Sequence, residues 1–164
     1  GRVVQGVALT ELSRDDFVHP IVTWTTTQFL TARAAARHMT KKRSGVVLTL
    51  SASPARVALA STTGFGVACA AIEGLSRTLA AELGPFGIRV VCIRPHRIGD
   101  TLGTAADFPM GGAEQFRSFI GSLTLLKRLP TLADVGNTAA FLASDHAAAI
   151  SGTVANLTCG MSVD

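Results

Sequence analysis

Two short apolar runs constrain the fold of this chain most. Residues 46–50 read Val-Val-Leu-Thr-Leu, and residues 88–93 read Ile-Arg-Val-Val-Cys-Ile. Short runs rich in β-branched side chains are typical of strands that are covered on both faces, as in parallel sheets. An alanine-rich helical segment, residues 64–83, lies between them and ends at a Gly-Pro-Phe-Gly sequence. A helix between two buried strands indicates a right-handed crossover in a parallel sheet.

The first helix is predicted from the signals at its two ends. Ser13 is followed by two aspartates, and a serine cap with acids in the first turn places a helix start near Ser13. Pro20 lacks the N–H group that a helix interior needs, so we expect it to divide or kink this helix. The helix then continues over residues 21–38, and the Lys-Lys-Arg cluster at 41–43 complements the dipole at its C-terminal end.

The C-terminal half predicts two more helices and a last strand. Residues 53–63 and 95–112 read as loops, and a loop as long as the second is commonly functional. Helices are predicted at 114–120 and at 131–143, and a short strand at 152–157. The sequence therefore predicts one α/β domain over residues 1–164, with a parallel sheet and helices on both faces.

Composition narrows the possible classes of function. No apolar run reaches the roughly 18 residues that span a bilayer, so we expect no membrane segment. The net charge of +4 comes without aromatic residues interleaved among the basic ones, so we expect no nucleic-acid partner. Cys69, Cys92 and Cys159 lack metal-ligand spacing. They predict free thiols, no metal site and a reducing, cytoplasmic compartment.

Several segments resemble the short-chain dehydrogenase/reductase family. Residues 79–90, Leu-Ala-Ala-Glu-Leu-Gly-Pro-Phe-Gly-Ile-Arg-Val, are similar to the family's passage from helix to strand. Residues 129–135 and 141–145 match its C-terminal helix, and residues 150–152 lead into its last strand. The resemblance covers nearly the whole chain. It implies the C-terminal half of a Rossmann-like, doubly wound sheet, with the N-terminal nucleotide-binding half of the family fold absent from this domain.

The family's tyrosine and lysine fall on residues of different chemistry. The Tyr-x-x-x-Lys pair matches Phe65 and Cys69, which are four residues apart and so share one helix face. A phenyl ring cannot transfer a proton, and a neutral buried thiol cannot lower a neighbouring pKa. The resemblance therefore implies a degenerate active site, and whether the chain is an enzyme stays open at this point.

Two further catalytic positions of the family are also changed. Its serine, thirteen residues before the tyrosine, matches Ala52, although Ser51 and Ser53 flank that position and a shift of one residue would restore a hydroxyl. Serines at a strand end also commonly form local hydrogen bonds. The family's asparagine matches Trp24, which is otherwise a packed aromatic residue.

The nucleotide-binding features are reduced to remnants. The family's Pro-Gly turn becomes Pro95-His96, and Ile98 and Thr101 follow as the remaining candidates for cofactor contacts. His96 is either a replacement acid/base or a solvated loop residue. A Gly-x-Gly pair at residues 64–66 lacks a preceding strand, so it predicts close helix packing rather than a phosphate-binding turn.

Three readings of function follow. The leading one is a degenerate family member that acts as a non-catalytic oligomerisation or binding module, with no cofactor for this chain alone. It forms a homo-oligomer, a dimer or tetramer, through its long helices. The second is a fragment of an NAD(P)-dependent oxidoreductase for a carbonyl or hydroxyl substrate, with NAD or NADP held by the absent half. The third is a binder of small apolar ligands, lined by Trp24, Phe65 and the loop 95–112.

Overall fold

A computed structural model describes residues 5–102 and 112–163. Three parallel strands form one sheet in the order β1-β2-β3: β1 is Gly45–Leu50, β2 is Ile88–Pro95 and β3 is Val154–Leu157. Both predicted strands are therefore confirmed. The predicted burial holds for β2, whereas β1 lies at an edge of the described sheet and only Val47 and Thr49 of it are buried. The α/β class with a partial doubly wound parallel sheet is confirmed as well.

Helices cover both faces of this sheet. The described helices are α1 Arg14–Lys42, α2 Thr63–Leu83, α3 Ala113–Leu123 and α4 Leu132–Ala143. Successive side chains of a strand point to opposite faces. Val90 accordingly packs in a core that α1 and α2 share, while its neighbour Val91 packs in a second core against α4.

The predicted helix caps are present. The Ser13 side chain accepts a hydrogen bond from the backbone N–H of Asp16, and α1 begins at the next residue. Thr131 caps α4 in a reciprocal arrangement in which its side chain and that of Asp134 each accept a backbone N–H. Each cap satisfies donors that a helix start leaves without an intrahelical partner.

Of the two effects expected of Pro20, division of the first helix is wrong, and a kink stays a prediction. Helix α1 runs without a break from residue 14 to residue 42, with Pro20 inside it. An interior proline costs about 3 kcal/mol in an isolated helix. Here Pro20 is one of the fully buried side chains, so its packing outweighs the lost backbone hydrogen bond.

The two predicted loops contain short ordered turns. A 3₁₀ turn, Ser53–Ala55, begins the first loop, and a second one, Gly99–Thr101, lies in the other. Pro95 belongs to β2 and not to a loop. Residues 103–111 of the long predicted loop lie outside the described residues. Within the described part of the chain, no helix has the length and apolar character to cross a membrane.

Candidate functional site

A cavity of about 330 Å³ lies beside the carboxyl ends of β1 and β2. Segments that follow these strands form its walls, together with the start of α2. Ligands of open parallel sheets bind at this edge, outside the carboxyl ends of the strands. The lining residues are Gln5, Ala52, Ser53, Pro54, Leu59, Thr62, Phe65, His96, Arg97, Ile98, Thr101 and Leu102.

The structure brings most of the sequence-predicted site residues to this cavity. Trp24 lies behind the wall, whereas Ser51, Cys69 and Pro95 are buried and are not lining residues. The predicted residues that line it are Ala52, Ser53, Phe65, His96, Ile98 and Thr101.

Phe65 presents a hydrocarbon ring where the family's proton donor stands. Its ring meets that of Trp24 edge to face, with centroids 5.0 Å apart and an interplanar angle of 87°. Such pairs contribute about 0.5–1.5 kcal/mol beyond the area they bury. Trp24 is thus a packed aromatic residue that supports Phe65, and neither ring can exchange a proton with a ligand.

Cys69 is sealed inside the protein. Its side chain is 0% exposed, and burial raises the pKa of the thiol to about 12 although a backbone hydrogen bond with Ala52 acts in the opposite direction. The thiol is therefore neutral at physiological pH. It supplies neither the positive charge nor the proton relay that an ammonium group would supply at the same place.

A serine and a histidine meet at the cavity wall. Ser53 Oγ lies 2.7 Å from His96 Nδ1, and both side chains are buried. Burial first, and then the positive charge of Arg97, lower the pKa of His96. The imidazole is therefore neutral at pH 7. His96 is not the solvated loop residue that the sequence offered as one alternative, because only 7% of its surface is exposed.

Ser51 belongs to a buried polar network that sequence reasoning missed. Its hydroxyl donates to Glu73 Oε1 over 3.0 Å, and Arg94 Nη1 lies 3.3 Å from the same oxygen. Arg94 and Glu73 are only 1% and 6% exposed. An arginine inside an otherwise apolar strand was the available signal, because a buried charge requires a partner.

Arg97 is the second residue that the sequence analysis missed. It follows His96, lines the cavity, and holds its guanidinium carbon 5.0 Å from the centre of the Phe116 ring. Partial burial lowers its pKa. Within residues 5–102 and 112–163, no carboxylate forms an ion pair with it. Its position directly after the remnant Pro95-His96 turn was the available signal.

The described residues do not fit a dinucleotide pyrophosphate. Its usual cradle is a glycine-rich turn between a strand and a helix, and none occurs among the described residues: the β1–α2 connection, residues 51–62, contains no glycine and matches the family's serine–tyrosine segment rather than its nucleotide-binding turn. Gly64 and Gly66 lie inside α2 instead, and a Cβ atom on Gly64 would stand 2.5 Å from the Phe17 carbonyl oxygen. The predicted packing role of this glycine pair is therefore confirmed for Gly64.

Other cofactor remnants make only local contacts. Thr101 Oγ1 donates to the Ile98 carbonyl, which closes its own turn. In the part of the chain that the structure describes, no three His, Cys, Asp or Glu residues gather in a way that could hold a metal ion. The cavity therefore offers one partly buried cation, one neutral imidazole and an apolar wall.

Known proteins resemble this chain over its whole described length. A family model described as enoyl-(acyl carrier protein) reductase matches residues 2–162. The chain is 32% identical to the enoyl-acyl-carrier-protein reductase (NADH) FabI of Escherichia coli, covering 99% of this chain and 60% of that protein. It is 34% identical to (+)-borneol dehydrogenase 1 of Salvia officinalis, covering 82% of this chain and 51% of that protein.

A solved structure supports the same assignment. The chain superimposes on a dehalogenation enzyme with a TM-score of 0.87 and 25% identity, covering 99% of this chain and 66% of the other. The chain spans about half the length of the curated relatives it matches. The family model over residues 2–162 and the identity to these relatives show that the chain belongs to the short-chain dehydrogenase/reductase family.

Proposed function

We propose that this chain is a member of the family that has lost carbonyl reduction and acts as a non-catalytic binding and oligomerisation module. The observation that carries the proposal is the pair Phe65 and Cys69, a hydrocarbon ring and a buried neutral thiol at the positions of the family's acid and its cation. A positioned proton donor is typically worth about 10²–10⁴ in rate. The free thiols also favour a reducing, cytoplasmic setting.

The cavity supports the binding part of this proposal. A volume of about 330 Å³ lies at the lower end of the range of small-molecule sites. Apolar side chains such as Leu59, Phe65 and Leu102 form much of the wall, and His96 and Arg97 add polar groups at one side. An apolar pocket with a few converging polar groups is the usual form of a binding site.

The oligomerisation part rests on the outer surface of α1. Val22, Phe29 and Leu30 are 54%, 41% and 50% exposed, which is unusual for three large apolar side chains within one helix. We propose that this surface and the adjoining part of α2 pair with a second copy of the chain, giving a dimer or a tetramer.

A second candidate function is a fragment of an NAD(P)-dependent oxidoreductase that acts on a carbonyl or hydroxyl substrate. The relatives favour it, because they carry the names of reductases and dehydrogenases and are about twice as long as the matching segment. In this reading the nucleotide would be held by residues outside the present sequence, and Phe65 and Cys69 would still slow the reaction.

An activity assay separates the two candidates. Consumption of NADH and NADPH is followed with ketone, aldehyde and enoyl-thioester substrates for the protein expressed from its complete gene and for the same protein with the double change Phe65→Tyr/Cys69→Lys. We expect no consumption above the protein-free rate by either protein, because the proposed module has lost carbonyl reduction. Turnover that rises in the double variant would instead establish the fragment of an oxidoreductase. The fold of the variant is checked by circular dichroism.

A further inference from the structure

Arg97 places a positive charge at one side of the cavity, where none of the described carboxylates pairs with it. It is more than one-third exposed, at the mouth of the cavity, yet its guanidinium is packed closely enough that burial lowers its pKa. Its one aromatic contact is the Phe116 ring at 5.0 Å, and no described carboxylate pairs with it. A partly desolvated guanidinium of this kind favours an anionic partner, and its planar fork matches a carboxylate.

Among the described residues that line the cavity, Arg97 is the only charged one. The other polar lining residues are neutral: Thr62 and Thr101 direct their hydroxyls to backbone carbonyls, and Ser53 pairs with His96. The imidazole of His96 is neutral at pH 7 because of burial and the nearby guanidinium. The cavity thus has a single cationic group, and it matches a ligand with one negative charge.

The remaining lining residues indicate that the uncharged part of such a ligand is apolar. Pro54, Leu59, Phe65, Ile98 and Leu102 give it an apolar character. A water molecule occupies about 30 Å³ in the liquid, so a cavity of about 330 Å³ holds about ten non-hydrogen atoms. A cavity of this size cannot enclose a whole dinucleotide, and it suits a short apolar chain with one polar end.

We infer that the cavity binds small monocarboxylates that carry an apolar chain of medium length, with the carboxylate on Arg97 and the chain against Phe65. This inference rests on the proposed binding function and names its ligand class. Because the apolar wall alone would accept a neutral alcohol equally well, the charge on Arg97 is the feature that makes the site selective. Octanoate, with about ten non-hydrogen atoms, has the matching size.

Equilibrium dialysis at pH 8 with octanoate and with 1-octanol tests the inference on the wild-type protein. We expect octanoate to bind with a dissociation constant below about 1 mM, a modest affinity per atom for a ligand of this size. We expect it to bind about tenfold more tightly than 1-octanol, because the two differ chiefly in the charged group. Equal affinities would overturn the carboxylate assignment and leave the binding module standing. If neither ligand binds, both the carboxylate assignment and the proposed binding module are wrong.

Variants then test the role of Arg97. Arg97→Gln is expected to weaken octanoate about tenfold and to change 1-octanol less than about twofold, whereas Arg97→Lys keeps most of the preference. Arg37→Gln on the exposed surface of α1 removes the same charge elsewhere and is expected to change neither affinity. If Arg37→Gln weakens octanoate as much as Arg97→Gln does, net charge and not this site selects the anion, and the inference is wrong. If Arg97→Gln does not fold, the octanoate and 1-octanol affinities of the wild type and of Arg97→Lys still show whether a positive charge at position 97 selects the carboxylate.

Discussion

At the scale of single residues, a buried ion pair is hydrogen-bonded to the residue that precedes the cavity wall. Ser51, which precedes the lining residue Ala52, donates to Glu73, and Glu73 pairs with Arg94 over 3.3 Å. These groups join the end of β1, the middle of α2 and the end of β2. The network therefore fixes the ends of the two strands that form the cavity.

Replacement of Glu73 should destabilise the chain strongly. Glu73→Gln removes the charge of the carboxylate that lies 3.3 Å from the buried Arg94, and breaking a buried pair typically costs about 3–5 kcal/mol. Urea denaturation followed by circular dichroism measures the change. Glu82→Gln, at an exposed position of the same helix, is the matched control and should shift stability by less than about 0.5 kcal/mol. Equal effects of the two changes would show that the pair contributes little.

The thiols differ in exposure, which gives a second prediction at this scale. Cys69 and Cys92 are buried and Cys159 is half-buried, and the pKa of Cys69 is raised to about 12. The thiolate is the reactive form, so Cys69 should react with an aromatic disulfide reagent only after unfolding. In the native protein at pH 8 we expect Cys159 to be modified first. Mass spectrometry of peptides identifies the modified thiol, and rapid native labelling of Cys69 would contradict its burial and its neutral state.

At the scale of elements, the close contact of α1 and α2 positions the cavity wall. Gly64, the second residue of α2, lies against the backbone of α1, and the next residue, Phe65, lines the cavity. The Cβ that any other residue adds at position 64 would meet the Phe17 carbonyl oxygen at 2.5 Å. This contact is backbone, so it cannot be relieved by the rotation of a side chain.

Two glycine substitutions should therefore change the stability of the chain in opposite directions. Gly64→Ala is expected to destabilise the chain by about 1–3 kcal/mol, since the helices must move apart. Gly136→Ala lies in α4 with open space around the new Cβ, and it should stabilise by about 0.5–1 kcal/mol through helix propensity. Thermal unfolding of both variants gives the comparison. A stable Gly64→Ala would mean that the helices tolerate a wider separation.

The elements differ in how well the sequence predicts them. Strands β1 and β2 and the caps at Ser13 and Thr131 follow from local patterns, because a short apolar run or a capping side chain acts on its immediate neighbours. Pro20 is different. Its effect on α1 depends on its burial in the folded protein, which no local pattern contains.

At the scale of the whole molecule, the exposed apolar side chains of α1 predict self-association. Light scattering during gel filtration should give a mass that is a multiple of 17.0 kDa at micromolar concentration. Phe29→Glu introduces a charge at a position that is 41% exposed, so it should shift the mass toward that of the monomer and leave the helical signal unchanged. Phe141→Glu, which introduces the same charge at a 48%-exposed position of α4 outside the proposed pairing surface, serves as the control. A wild-type monomer would remove the oligomerisation proposal.

The candidate site could be located from the sequence, but its chemistry could not be completed. Alignment with the family selects Ala52, Phe65 and His96, which line one cavity in the structure, because motif spacing sets where they lie on the fold. The Ser53–His96 hydrogen bond joins residues from separate segments of the chain. The role of Arg97 depends on its partial burial. Those features exist only after the strands pair.

The central claim is that this chain lacks the means to bind and use a nicotinamide dinucleotide. Calorimetric titration of NADH and of NADPH into the purified chain tests it most directly. The account predicts no binding at micromolar concentrations, since the described residues include no glycine-rich turn from a strand to a helix and the cavity of about 330 Å³ cannot enclose the whole cofactor. Saturable binding with a micromolar dissociation constant would contradict it.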